Sequence, residues 1–155
     1  MKTTPTLIVL SCAVIGLAVI TPSTGVVRAQ TASANVSVPT GQVELGSIAL
    51  PRSVMANGQT LASGTYDVRV TAESASPEAA GQLPVLERWV EFRQGDEVRG
   101  RELVSIVPQS EIADVAKTPP PPSGASRVEL LRGDDYLRVW VNQNDTHYFI
   151  HLVVG

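Results

Sequence analysis

Between Thr65 and Thr71 the chain alternates without a break, with Tyr66, Val68 and Val70 on one side and Thr65, Asp67, Arg69 and Thr71 on the other. A period of two is the mark of a strand with one wet and one buried side. From Val43 to the C-terminus the remaining apolar residues come in short clusters separated by turn signals, which is the pattern of an antiparallel β protein. No helical stripe of comparable length competes with it. Six to eight strands are expected, in an all-β sandwich or small barrel.

The turns fix several pairings. Asn57-Gly58 tolerates the positive φ values of a type I′ turn and sets Val54 opposite Leu61. A second hairpin, 85–93 with 98–107, turns through Gln94-Gly95-Asp96-Glu97. A three-residue loop there puts Glu91 opposite Arg101 and Trp89 opposite Leu103, which suits charge and packing better than the two-residue alternative, Trp89 against Glu102. The last third holds three strands, 127–131, 136–141 and 146–154, joined by polar turns and expected to be meander neighbours. Ala72–Pro84 reads as a surface loop. In the stretch 108–126, Ser110 is placed to cap a short helix running to Lys117, and the run Pro119–Pro122 ends it.

The segment Leu61-Ala62-Ser63-Gly64-Thr65-Tyr66-Asp67-Val68 resembles the L-P-A-G-T-Y-x-V motif that opens a strand in many exported bacterial β-sandwich domains. Among these are carboxypeptidase-regulatory-like and prealbumin-like modules and several uncharacterised families of small secreted proteins. The likeness covers Asn57 to Val70, with Ala62-Ser63 where the pattern has Pro-Ala. It implies fold and compartment and carries no catalytic residue. In physical terms, Gly64 permits a bend into the strand and Tyr66 packs its ring beneath the turn.

The N-terminus addresses the compartment. Lys2, an apolar run from Leu7 to Ile20, Thr21-Pro22 and then Val27-Arg28-Ala29 have the order of a secretory signal peptide. The run is short for a membrane-spanning helix, so no stable membrane span is expected after cleavage. The expected division is a signal peptide over 1–29, a flexible leader over 30–42 and a β domain over 43–155, with a periplasmic or extracellular location. The lone cysteine, Cys12, lies inside the apolar run, leaving none for disulfides or thiol chemistry in the mature chain. Without Lys2 and Arg28 the twelve basic residues fall to ten against fifteen acidic ones, a net charge of −5. That balance disfavours nucleic acid as a partner.

No catalytic or nucleotide-binding motif stands out, and neither a cofactor nor a metal is expected. His147 and His151 share one face of the last strand, but four residues along a strand span about 13 Å, too far for one zinc ion. The strand 136–142 divides into Leu137, Val139 and Val141 on a core side and Tyr136, Arg138, Trp140 and Asn142 on the other. Aromatic rings among hydrogen-bonding groups make those four the candidate platform for a sugar or other flat ligand. The competing reading puts Trp140 beneath a loop, with an arginine stacked on its ring. Glu87, Glu91, Glu102, Asp134 and Asp135 supply carboxylates for a hydrolase, though any soluble sheet displays such acids. Arg132-Gly133-Asp134 is read as a glycine-centred turn. The function expected is therefore a non-catalytic binding or accessory role in the envelope, toward a protein or a glycan.

Overall fold

The computed structural model describes residues 39–75 and 86–155. The expected signal peptide and most of the expected leader and of the expected 72–84 loop thus lie outside the described residues.

The fold is all-β. Among the described residues nine strands form one connected antiparallel sheet: β1 (Val43–Leu50), β2 (Val54–Ala56), β3 (Gln59–Leu61), β4 (Gly64–Ser74), β5 (Glu87–Gln94), β6 (Glu97–Pro108), β7 (Ser126–Leu130), β8 (Tyr136–Gln143) and β9 (Thr146–Val154). The excess over the expected six to eight comes from short pieces, since β2 and β3 have three residues each. Neighbours run β1-β4-β5-β6-β9-β8-β7. β9 is the branch point: its first half pairs with β6, its last two residues pair with β2, and β8 lines its whole other side. The edge strands β1 and β7 come into contact without hydrogen-bonding, so the sheet curls over one core without closing.

Alternation decides what enters that core. Tyr66, Val68 and Val70 of β4 point inward, as do Val90 and Phe92 of β5, Val104 and Ile106 of β6, and Leu137, Val139 and Val141 of β8, together with Tyr148, Ile150 and Leu152 of β9. A register shift between Glu44 and Gly46, with Gly46 at φ +86°, is a bulge that turns Leu45 inward.

The hairpin turns follow from residue type. Asn57 (φ +43°) and Gly58 (φ +80°) make the expected turn, and Val54 faces Leu61. Asn144 (φ +52°) and Asp145 (φ +58°) do the same between β8 and β9, where Gln143 pairs with Thr146. The β5–β6 turn differs from expectation in an instructive way. Gln94 pairs with Glu97, so the loop has two residues, and a bulge after Val98 then restores Glu91 to Arg101 and Trp89 to Leu103. Packing and charge pairing along the strands thus fix the register, and the bulge absorbs the mismatch with the turn.

Tyr66 lies beneath the turn as expected. Its hydroxyl donates to the Ala62 carbonyl at 2.9 Å, and its ring meets Phe92 edge-on at 6.2 Å. A tyrosine bonded to backbone a few residues upstream at a strand start is a tyrosine-corner arrangement. Gly64 has φ +157°, a positive value that L side chains rarely adopt, so the backbone conformation at the strand entry favours glycine even though a Cβ there would meet nothing nearer than Gln94 Nε2 at 3.7 Å and Tyr66 Cε2 at 4.0 Å.

Between β6 and β7 the chain makes a 3₁₀ turn, Gln109–Glu111, and one turn of helix, α1 (Ile112–Val115). The helix is shorter than the expected 110–117, and Ser110 does not cap it. Neither end has a side-chain cap, and α1 stops at Ala116, which adopts extended geometry ahead of the prolines. No helix among the described residues is long and apolar enough to cross a membrane.

Candidate functional site

The outer side of β8 and β9 carries a second apolar cluster, separate from the core: Trp140, Phe149 and Ile112, with Val107 and Ala116 against them. It exists because the segment 109–125 folds back over the sheet, and Asn142 is what ties it down. The Asn142 amide N–H donates to the Ala125 carbonyl (3.0 Å), its carbonyl accepts from Gly124 N–H (2.7 Å), and its side-chain Nδ2 donates to the Pro121 carbonyl (2.9 Å). Arg127 Nη1 holds the Pro119 carbonyl at 3.0 Å, and Gln109 N–H donates to the Asp145 carbonyl at 3.1 Å. There are no cis peptide bonds among the described residues, so Pro119–Pro122 form a trans run whose φ is fixed by the rings and whose ψ is held extended by each following proline. The result is a stiff strap across the face.

The expected aromatic platform is corrected by this strap. Tyr136, Arg138, Trp140 and Asn142 do share the outer face of β8, but Trp140 is 0 % exposed and Asn142 is buried. Trp140 packs on Phe149 with ring centres 4.9 Å apart, and the guanidinium carbons of Arg127 and Arg138 lie 5.5 Å from its ring centre. Arg138 itself is engaged, donating through Nε (2.9 Å) and Nη2 to Glu129 Oε1. Only Tyr136 of the four is exposed. The apolar bulk of Trp140 is worth too much buried for an open face to persist when a neighbouring segment can cover it.

Beneath the strap a polar chain runs through the cluster. Trp140 Nε1–H donates to His147 Nδ1 at 3.1 Å, and His147 Nε2 lies 2.7 Å from Gln109 Oε1. The indole can only donate, so Nδ1 must be bare, and the proton sits on Nε2, where it serves the Gln109 carbonyl oxygen. His147 is fully buried, and burial pushes its pKa below the usual histidine value, against the opposing pull of Asp145. His151 shares the face but is exposed, opposite Arg138 in register. No group of three or more potential metal-ligating side chains occurs among the described residues.

The acids named as candidates are dispersed. Glu91 pairs with Arg69 at 2.8 Å on the outer side of β5; Glu102, on the other side of β6, accepts from the Asn57 and Leu103 amides; Asp134 and Asp135 sit in the β7–β8 turn. An open groove of about 300 Å³ beside the strap, lined by Gln109, Ile112, Ala116, Lys117 and Pro119 among others, has Lys117 as its one charged residue.

Two features escaped the sequence reading. Arg88 points into the core end of the sheet, buried, with its guanidinium donating to the carbonyls of Pro39, Gly41 and Thr71. Burial lowers its pKa and raises that of neighbouring Tyr148. The signal available was its inward parity with Val90 and Phe92. The other is an exposed apolar row across three strands: Tyr136 pairs with Val153, and Val153 with Met55, at 47 %, 44 % and 38 % exposure.

Comparison with protein-family models, with curated proteins and with solved structures found no match for this chain.

Proposed function

We propose that this chain is exported and acts without chemistry of its own, as an accessory domain that binds a protein of the envelope through the outer side of β8, β9 and β2. The observation that carries the reading is the row Tyr136–Val153–Met55. Three exposed apolar side chains in cross-strand register present a continuous surface of the kind that marks contact with a partner. A protein fits this surface better than a glycan. Sugar sites need convergent free polar groups, and the charged residue next to Tyr136 on that face of β8, Arg138, is already held by Glu129. Export is supported by the order Lys2, apolar run and Val27-Arg28-Ala29, and by the likeness of Asn57–Val70 to exported β-sandwich domains.

The test pairs location with contact. A photo-crosslinking side chain at Met55 should give one discrete envelope adduct, and Tyr136→Ser with Val153→Thr should abolish it while leaving the fold intact, because exposed substitutions cost within about 0.5 kcal/mol. The exported form should begin near Gln30. An adduct that survives the double substitution, or a cytoplasmic chain that keeps Met1, would overturn the proposal.

A further inference from the structure

We propose that His147 is a proton-sensitive latch: a proton at Nδ1 displaces the Trp140 N–H and leaves a buried imidazolium short of a partner, and lifting the 109–125 strap from the outer face of β8 and β9 relieves it by admitting water, uncovering Trp140 and Phe149 while the sheet stays folded. This goes beyond the partner-binding reading and does not depend on it.

The chemistry is decided by what the neighbours of His147 can do. Its Nδ1 lone pair accepts the Trp140 indole N–H at 3.1 Å, and its Nε2–H serves Gln109 Oε1 at 2.7 Å. A proton delivered from solvent to Nδ1 consumes that lone pair, so the two N–H groups then point at each other across the same gap. Indole has no acceptor, and turning the imidazole would bring carbon against both partners, so no local rearrangement repairs the contact. A buried imidazolium with one bond removed is costly.

The charged surroundings set the balance. Asp145, in the β8–β9 turn, favours the charged form. Arg127 of β7 and Arg138 of β8 place positive charge over the Trp140 ring, 5.5 Å from its centre. From β6 and β8 the residues opposite His147 are Val107 and Asn142, both uncharged. The strap brings the neutral Gln109 into contact and carries Glu111, Asp114 and Lys117 exposed. Burial outweighs Asp145, so His147 is neutral near pH 7 and takes its proton only below the ordinary histidine value.

What would move is defined by two anchors. One is Gln109, bonded both to His147 and to the Asp145 carbonyl; the other is Gly124, at φ +79° and bonded to Asn142. Between them the strap is a one-turn helix and a proline run, held down by the apolar contacts of Ile112 and Ala116 with the Trp140 cluster and by the bonds of Asn142 Nδ2 and Arg127 Nη1 to the Pro121 and Pro119 carbonyls. The nine-strand core cluster lies on the opposite side of the sheet and contains none of these groups.

The experiment uses the full chain carrying Trp89→Phe, so that fluorescence reports Trp140 alone, between about pH 8 and about pH 4, a range bracketing the ordinary histidine value of about 6.5. Emission should shift to the red and acrylamide quenching should rise as pH falls. Amide exchange at Gly124 should speed up about tenfold per pH unit, after correction for intrinsic rates, between about pH 6.5 and the folded-state value. The amides of Val68 and Val90 should stay protected. His147→Gln should remove the response, and Asp145→Asn should move it to lower pH; His151→Gln should leave it in place. If His147→Gln does not fold, the exposed Asp145→Asn and His151→Gln variants carry the test. A response of unchanged midpoint in His147→Gln or in Asp145→Asn would overturn the latch. So would a Trp140 that stays shielded throughout, or one released only together with Val68 and Val90.

Discussion

Replacing Trp140 by phenylalanine separates the two roles an outer-face tryptophan can have. In a covered cluster the change removes the donor that His147 Nδ1 has among the described residues, leaving a buried acceptor unpaired, at a cost of about 1–3 kcal/mol. It also removes part of a ring that packs on Phe149 at 4.9 Å and beneath Ile112, and the resulting void adds about 1 kcal/mol. Weaker attraction from Arg127 and Arg138 works in the same direction. The sum is about 2–4 kcal/mol, and at about 2–8 °C per kcal/mol the melting temperature should fall by at least about 4 °C. Trp89→Phe is the matched control: Trp89 is half-buried, with Arg101 5.1 Å from its ring centre, and its loss should cost no more than about 1 kcal/mol. Urea unfolding of both variants at neutral pH gives the comparison. Equal costs for the two substitutions would refute the covered cluster, because an open Trp140 would have neither the unpaired nitrogen nor the void.

Gly100→Ala should destabilise by about 1–3 kcal/mol, since a Cβ there would stand 2.9 Å from Leu61 Cδ2 and 3.4 Å from Ala56 Cβ, pushing the β2–β3 hairpin off β6; a neutral result in urea unfolding would show that the hairpin is not seated on Gly100. Arg88→Leu should cost more than about 2 kcal/mol because three carbonyls lose their donor at once, and Arg88→Lys should recover only part of that, as one ammonium cannot reproduce the planar fork; full recovery by lysine in the same assay would mean that charge alone matters. Because the folded protein holds His147 below its ordinary value, the unfolded chain takes the proton first. This residue's contribution to stability is therefore complete above about pH 6.5 and is lost as pH falls toward the folded-state value. His147→Gln should flatten the plot of stability against pH in that window, and an unchanged slope would contradict the assignment.

Much of this architecture is written in local chemistry. The alternation from Thr65 to Val70 became the inner and outer sides of β4, whereas Thr71, expected on the wet side, is buried where the register with β5 shifts, and Asn57-Gly58 fixed the facing pair Val54 and Leu61. Charge and ring pairing found Glu91 opposite Arg101 even though the loop length was misjudged, because a bulge separates turn geometry from strand register. What failed was the step from a strand's face to its exposure. Period-two reasoning placed Tyr136, Arg138, Trp140 and Asn142 together correctly, but whether a face is wet depends on a segment more than ten residues away in sequence. The prolines that end the helix in that segment also stiffen it into a strap. Arg88 and His147 were hidden for a related reason: each is polar, and burial became tolerable only when distant carbonyls or a facing indole supplied partners. The β8–β9 turn held a usable clue, since a two-residue loop at Asn144-Asp145 sets Asn142 opposite His147 and Trp140 opposite Phe149.

Hydrogen exchange at the Trp140 indole Nε1–H, near neutral pH, is the most direct check that this ring is enclosed and bonded to His147. Protection far above that of the Trp89 indole, though below that of the Val90 and Ile150 amides, is the expected result, since the indole opens whenever the strap does and those amides only with the sheet. An indole proton that exchanges as fast as that of Trp89 would place Trp140 in solvent and contradict the covered face.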